Sequence, residues 1–243
     1  MHRFGLLGKN ISYSFSPGYF RDKFKREGIQ DCVYKIFDLP GLEAFPKLLD
    51  QYPDLRGLNV TIPYKEAILP YLNHLDPEAK SIGAVNTIRM AEDGLNGYNT
   101  DVLGFKASLE PLLRPWDQSA LVLGTGGASK AVAHGLKQLG ISFRLVSRNP
   151  RQGQFHYGEL NKKTLEAHSI LINCTPLGTY PDVQAAPPIP YHDLNKNHLL
   201  YDLIDNPEQT TFLKHGAEIG ARTKNGLEML QLQADASWEL WNR

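Results

Sequence analysis

The sequence predicts an α/β protein built of two units, and three observations carry that prediction. Short β-favouring runs alternate with helical runs along most of the chain. An apolar strand ending in "LGTGGAS" opens a helix near residue 127. The last segment, "LEMLQLQADASWELW", places Leu227, Leu230, Ala234, Trp238 and Trp241 at helical spacing, which predicts an amphipathic helix packing back on the first unit. With 243 residues the chain is long enough for two such units and a real core.

Composition narrows the partners. Lys plus Arg and Asp plus Glu are 26 each, so no overall field draws the chain to nucleic acid or to an anionic membrane. A small molecule held by local charge is expected instead. The two cysteines, Cys32 and Cys174, lie far apart without a CxxC pattern or a Cys/His cluster. Neither a disulfide framework nor a metal site is expected, which fits a reducing compartment. The N-terminus lacks a signal-like apolar run, and no apolar stretch of about 18 residues occurs; a cytoplasmic protein is the expectation.

In chain order, strands are predicted at 3–8 and 32–37, with a helix around 17–27 between them. A helix follows near 41–49 despite Pro46, then a strand over 55–62. A further helix is expected at 66–75, kinked by Pro70. Residues 84–99 read as a hairpin turned at Asp93-Gly94. Asp101 opens an amphipathic run that Pro111 and Pro115 end, carrying the chain out of the first unit. Strands at 169–174 and 199–204 and a helix at 208–220 complete the second unit. The expected division is 1–101 with 227–243 against 102–226.

The glycine-rich turn, "LVLGTGGAS", sits between a strand and a helix and leads to a second strand. In that context Gly124 permits the tight turn and Gly126 lets backbone N–H groups approach a pyrophosphate, while the helix N-terminus adds partial positive charge. The third glycine of the Rossmann pattern is Ser129 here. An NAD site carries an acidic residue about 20 residues beyond the glycines. Here the next strand ends "LVSRNPR", with Ser147, Arg148 and Arg151 and no carboxylate. A guanidinium pairs with a 2′-phosphate that a carboxylate would repel, so a Rossmann-like, NADP-binding unit is predicted.

Polar residues gather at element ends in the first unit. Ser12, Ser14 and Ser16 stand at i, i+2 spacing, so in an extended segment their hydroxyls would face one way and two could hold one carboxylate. Capping of the following helix is the alternative use. Asn59 and Thr61 share one side of their strand, and Pro63 delivers Lys65 to the start of a helix, where its charge opposes the dipole. "AVNT" and "GYNTD" add Asn86 and Asp101.

In order, "SFSP", "NVTIPYK", "GAVNT", "GYNTD", "LGTGGAS", "INCTPLG", "YDLIDNP" and "GLEML..Q" resemble the successive motifs of the shikimate dehydrogenase family, from about residue 5 to residue 241. The resemblance implies reversible, NADPH-dependent reduction of 3-dehydroshikimate to shikimate in aromatic amino-acid biosynthesis, by a monomer or homodimer. It implies that Lys65 and Asp101 are catalytic. Ser14 and Ser16 would hold the substrate carboxylate, and Thr61, Asn86 and Gln233 its other oxygens. Gly124, Thr125, Gly126, Gly127 and Ala128 would cradle the pyrophosphate; Ser147, Arg148 and Arg151 would face the adenosine phosphate; Thr175, Leu203 and Gly226 would lie near the nicotinamide. Tyr13, Thr179 and Asp205 depart from the family's usual residues, Asp205 replacing a tyrosine that commonly contacts substrate.

Two other readings stand beside it. An NAD-linked quinate/shikimate dehydrogenase would want an acidic residue near Arg148, and none is there. A non-catalytic dinucleotide-binding regulator would have lost Lys65 or Asp101, and both are present.

Overall fold

The structure, a computed structural model, describes residues 1–12 and 14–243; Tyr13 lies outside the described residues. The chain separates into two compact units, Met1–Leu103 with Gln231–Arg243, and Gly104–Leu230. Among the described residues no helix is long and apolar enough to cross a membrane.

The first unit runs β1 (His2–Gly8), α1 (Phe15–Arg26), β2 (Cys32–Asp38), α2 (Phe45–Gln51), β3 (Leu55–Val60), α3 (Tyr64–Ala67), β4 (His74–Leu75), α4 (Pro77–Ile82), β5 (Thr87–Ala91) and β6 (Gly94–Tyr98), with α5 (Asp101–Leu109) following. Its sheet has the order β2-β1-β3-β5-β6-β4. Three parallel strands at one side meet an antiparallel hairpin, β5 and β6, through β3. Register sets Asn59 of β3 opposite Thr87 of β5, and Thr87 opposite Tyr98 of β6. Three polar segments, 59–61, 86–87 and 99–101, therefore reach the same end of the sheet.

The second unit runs β7 (Ser119–Leu123), α6 (Gly127–Gln138), β8 (Ser142–Ser147), β9 (Phe155–His156), α7 (Lys162–Glu166), β10 (Ile170–Asn173), β11 (Leu199–Asp202), α8 (Thr211–Glu218) and β12 (Arg222–Lys224) before α9 (Leu227–Trp241). Its six strands, all parallel, are ordered β12-β11-β10-β7-β8-β9. Counted within the unit this is the doubly wound order 3-2-1-4-5-6 read from the other edge, and the order reverses between β7 and β10. Strands such as "ALVL" and "ILIN" are buried throughout because helices cover both faces of a parallel sheet.

Several sequence expectations are corrected. The helix expected over 66–75 is a single turn, α3, followed by a 3₁₀ turn at Leu69–Tyr71 and then β4. Pro70 lacks an N–H and its ring blocks the carbonyl four residues back, so the α-helix stops instead of kinking. His74–Leu75 then pairs with β6. The strand expected over 55–62 ends at Val60. The serines of "SFSP" do not share an extended segment: Ser14 is the residue before α1, and Ser16 is already inside the helix. Pro17 is tolerated there because a first-turn proline forfeits no intrahelical bond.

The last helix also differs from its apolar reading. Leu227 is exposed, whereas Met229, Gln233, Ser237 and Trp241, at i, i+4, i+8 and i+12, are all buried. The buried row thus contains two polar residues that an apolar template does not count. In the first unit Ala234, Trp238 and Trp241 pack with Phe4, Phe20 and Phe24. Phe4 stacks on Trp241 at 4.9 Å between ring centres, and the Trp241 indole N–H donates to the Ile88 carbonyl at 3.0 Å. Burying 150–250 Å² of aromatic surface stabilises by roughly 4–6 kcal/mol at about 25 cal/mol per Å². That anchors the C-terminal segment of α9 to the first unit.

Candidate active site

The first-unit constellation is assembled by backbone bonds at strand ends. Val60 N–H donates to the Asn86 carbonyl at 2.7 Å, and Asn86 N–H donates to the Tyr98 carbonyl at 3.1 Å. Val85 N–H donates to the Lys65 carbonyl at 2.7 Å, which ties the α3 turn to the same strand end. The side chains then meet. Lys65 Nζ donates to Asp101 Oδ2 at 2.6 Å, and Asn86 Nδ2 donates to Asp101 Oδ1 at 2.9 Å. Asn86 Nδ2 also lies 3.3 Å from Gln233 Oε1. Asp101 is 5% exposed as a residue, and the Lys65 side chain 18%, so the cation is the accessible member of the pair.

Of the residues expected here, Lys65, Asp101, Asn86 and Gln233 thus form one hydrogen-bonded set. Among the described residues, no hydrogen bond joins Thr61, Ser14 or Ser16 to Lys65, Asp101 or Asn86. Ser14 does not cap α1 with its side chain, so its hydroxyl is not spent on the helix. Ser16 is buried and Thr61 half-buried.

The second-unit constellation lies at the C-terminal edge of its sheet. Gly124, directly after β7, has φ +108°, a conformation side-chain-bearing residues avoid, and its N–H donates to the Val146 carbonyl at 2.9 Å. Gly126 precedes α6, a 12-residue helix with no side-chain cap and no acidic residue in its first turn. A Cβ built on Gly126 meets nothing within 4 Å, so the helix N-terminus opens outward. Thr125 is exposed, and Gly127 and Ala128 are half-buried. Ser129 is buried, and its hydroxyl donates to the Gly126 carbonyl at 2.6 Å, which holds the turn from within. Arg148 and Arg151 are exposed just beyond β8, and Ser147 Oγ accepts from Asn149 N–H at 3.2 Å. A helix N-terminus with no side-chain cap and no acidic first turn, with exposed guanidinium groups beyond the next strand, fits a dinucleotide bearing a 2′-phosphate.

Thr175, Leu203 and Gly226 complete that edge. Asn173, at the end of β10, accepts from Thr175 N–H at 3.0 Å and from Thr175 Oγ1 at 2.6 Å. Leu203 N–H donates to the Asn173 carbonyl at 3.1 Å. A Cβ on Gly226 would fall 2.1 Å from the Leu203 carbonyl oxygen, so only glycine permits this approach. Beneath them Asp202, fully buried, accepts from Asn173 Nδ2 at 3.0 Å, Ile204 N–H at 3.1 Å and Thr210 Oγ1 at 2.6 Å. Burial pushes its carboxyl up to about 6, against these three donors. Asp205 is likewise raised, chiefly by desolvation.

A curated relative from Clostridium botulinum, named shikimate dehydrogenase (NADP(+)), is 39% identical over 252 residues, covering 99% of this chain and 96% of that protein. The chain belongs to the shikimate dehydrogenase family. A family model described as the shikimate dehydrogenase substrate binding domain matches residues 6–88. Among solved structures, the shikimate dehydrogenase of Aquifex aeolicus superposes with a TM-score of 0.89 at 30% identity, covering 100% of this chain and 92% of that one. The Thermus thermophilus shikimate 5-dehydrogenase, solved in complex with NADP(H) and shikimate, gives 0.88 at 33% identity, covering 99% and 93%.

Within this shikimate dehydrogenase frame, sequence reasoning left several polar residues unassigned. Thr87, Thr100 and Ser237 join Asn59 and Asn86 in one buried network. Ser237 stands four residues after Gln233, on the same helical face, and that spacing was a usable signal. The Asp202–Asn173 clamp had none, because a buried carboxylate inside "YDLI" reads as a strand end.

Proposed function

We propose that this protein is an NADP-dependent shikimate dehydrogenase that reversibly reduces 3-dehydroshikimate to shikimate. The single observation that carries the reading is the part-buried Lys65–Asp101 pair, within a chain whose relatives bear that name along nearly their full length. NADPH, held at the glycine turn of the second unit, supplies the hydride. Gly124 to Ala128 hold its pyrophosphate, Ser147, Arg148 and Arg151 its adenosine phosphate, and Thr175, Leu203 and Gly226 border its nicotinamide half.

The protein's own part is orientation, charge and a proton. Ser14 and Ser16 bind the substrate carboxylate, and Thr61, Asn86 and Gln233 hold its hydroxyls. Lys65, as an ammonium, donates a hydrogen bond to the ketone oxygen and then a proton as negative charge develops there. Asp101 holds the ammonium in place, and Asn86 holds Asp101. Lys65 regains its proton from water. In the oxidative direction Lys65, as the neutral amine, accepts the hydroxyl proton and passes a proton on to water. The accessible Lys65 and the buried Asp101 suit this division, since the donor must reach substrate and its partner need not. The reading places the enzyme in the cytoplasm.

Shikimate-dependent reduction of NADP+, followed by absorbance, tests it. The expected rate is highest with shikimate and NADP+, and lower with NAD+ or with quinate. Absence of any shikimate-dependent rate with either cofactor would overturn the reading; a preference for NAD+ and quinate would move the enzyme to a different dehydrogenase specificity.

A further inference from the structure

Three hydroxyls are packed together in the first unit, and one of them comes from the C-terminal helix. Ser237 Oγ lies 2.8 Å from Thr87 Oγ1 and 3.1 Å from Thr100 Oγ1, and the two threonine oxygens are 3.3 Å apart. Ser237 and Thr87 are fully buried, and Thr100 nearly so. Polar atoms are costly in such a place unless every lone pair and proton is used. Each oxygen of the trio lies within hydrogen-bond distance of the other two, so the three hold one another in place.

Asn59 is oriented first. Its Oδ1 accepts from the Tyr34 hydroxyl at 2.8 Å, so its Nδ2 faces Ser237 Oγ, at 2.9 Å. Asn86 is oriented next. Its Oδ1 accepts from Thr100 N–H at 2.7 Å and from Thr87 Oγ1 at 3.0 Å. Its Nδ2 donates to Asp101 Oδ1 and to Thr100 Oγ1, each at 2.9 Å, with Gln233 Oε1 farther off at 3.3 Å. Ser237 Oγ is the shared neighbour of both threonine hydroxyls that contact Asn86, 2.8 Å from Thr87 Oγ1 and 3.1 Å from Thr100 Oγ1. Ser237 sends its own proton to the Gln233 carbonyl at 2.8 Å. With Asn59 Nδ2 and the two threonine hydroxyls around the same oxygen, Ser237 has a polar neighbour for each of its lone pairs.

We infer that Ser237 is a positioning residue for the Lys65–Asp101–Asn86 site: its hydroxyl holds Thr87 and Thr100, the two side chains that contact the Asn86 amide, and so keeps that amide aimed at Asp101. Without the serine hydroxyl, the acceptors left near the Thr100 hydroxyl are Asn86 Oδ1 at 3.2 Å, Thr87 Oγ1 at 3.3 Å and Gln233 Oε1 at 3.4 Å. Asn86 and Gln233 are groups proposed to serve substrate or Asp101. Asn59 Nδ2 also loses its shortest acceptor. The catalytic part of this inference rests on the proposed dehydrogenase reading, and the orientation of Asn86 does not.

The test uses Ser237→Ala in the full chain. The expected loss is roughly 3- to 10-fold in kcat, the rate equivalent of one neutral hydrogen bond, with KM for NADPH unchanged and the kcat–pH profile displaced. A second readout needs no turnover: the Asn86 side-chain amide resonances should shift and exchange with solvent faster in the variant. Ser237→Cys has nearly the same volume but a poor acceptor, and it gives the same comparison if the alanine variant does not fold. Wild-type kcat, pH profile and amide exchange in the folded variant would overturn the inference. So would a fall in activity that only tracks the folded fraction. If the parent protein shows no shikimate turnover, the reaction reading fails, and the amide signals alone decide the positioning of Asn86.

Discussion

Each unit buries one aspartate against an asparagine side chain, and the two carboxylates differ in what else they touch. Asp101 accepts from Asn86 and from a cation, Lys65, whose ammonium is partly accessible. Asp202 accepts from Asn173, Thr210 and a backbone N–H, all neutral, and is sealed from solvent. A buried carboxylate facing only neutral donors is stabilised less in its charged form, which is why burial carries Asp202 up to about 6. Its work is to clamp β10, β11 and the start of α8. The same residue type beside a cation that can reach outward is the one proposed above to have a chemical use. Burial alone therefore does not distinguish the two aspartates; the accessible partner does.

Three measurements would break or sharpen that contrast. The largest effect is expected from Lys65→Met, which removes the ammonium and leaves Asp101 with neutral donors alone. It should lower kcat by roughly 10²–10⁴ while changing KM little, the scale of general acid catalysis and oxyanion stabilisation. Near-normal turnover would place the proton donor elsewhere and erase the difference between the two aspartates.

Asp202→Asn comes next, read as stability against pH by urea unfolding. Because the folded-state value, about 6, lies above the ordinary 3.8, folding favours the protonated carboxyl. That contribution is full below about pH 4 and is lost as pH rises through about 6. The variant lacks it, so its stability relative to the parent should rise between those limits, by up to about 3 kcal/mol. A constant difference across that range would mean that Asp202 is charged throughout.

The smallest effect is expected from Arg148→Ala, because an exposed guanidinium at the rim of the glycine turn is well solvated without a ligand. KM for NADPH should rise roughly 10-fold, the scale of one or two charge-assisted bonds, and KM for NADH should stay nearly constant. Equal losses with both cofactors would remove Arg148 from the 2′-phosphate and shift attention to Arg151.

The units also differ in how legible they were. The turn of the second unit is a contiguous stretch, "LGTGGAS", whose proposed function resides in backbone N–H groups and glycine conformations, so linear order was enough to single it out. The first-unit site draws on residues 65, 86, 101 and 233, which local rules rate as a solvated lysine, turn asparagines and a helix glutamine. Only motif order, taken together, singled them out. Local rules failed where a neighbour overrode them. Pro70 cut the helix expected over 66–75, and the serines of "SFSP" were divided between a helix boundary and its first turn.

From the sequence alone came the α/β class, the nucleotide turn, the arginines that replace an acidic residue after the second strand, and the anchoring role of the C-terminal aromatics. These depend on periodicity, on glycine and on residue charge, all of which are properties of short segments. Tertiary structure decided the rest. It set Asn59 opposite Thr87 through sheet register and turned Gln233 and Ser237 inward beside Ala234 and Trp241, where an apolar pattern does not count them. It also separated Asp101 from Asp202. Register, helix rotation and the partner of a buried charge arise from contacts between segments far apart in the chain, and no segment carries that information by itself.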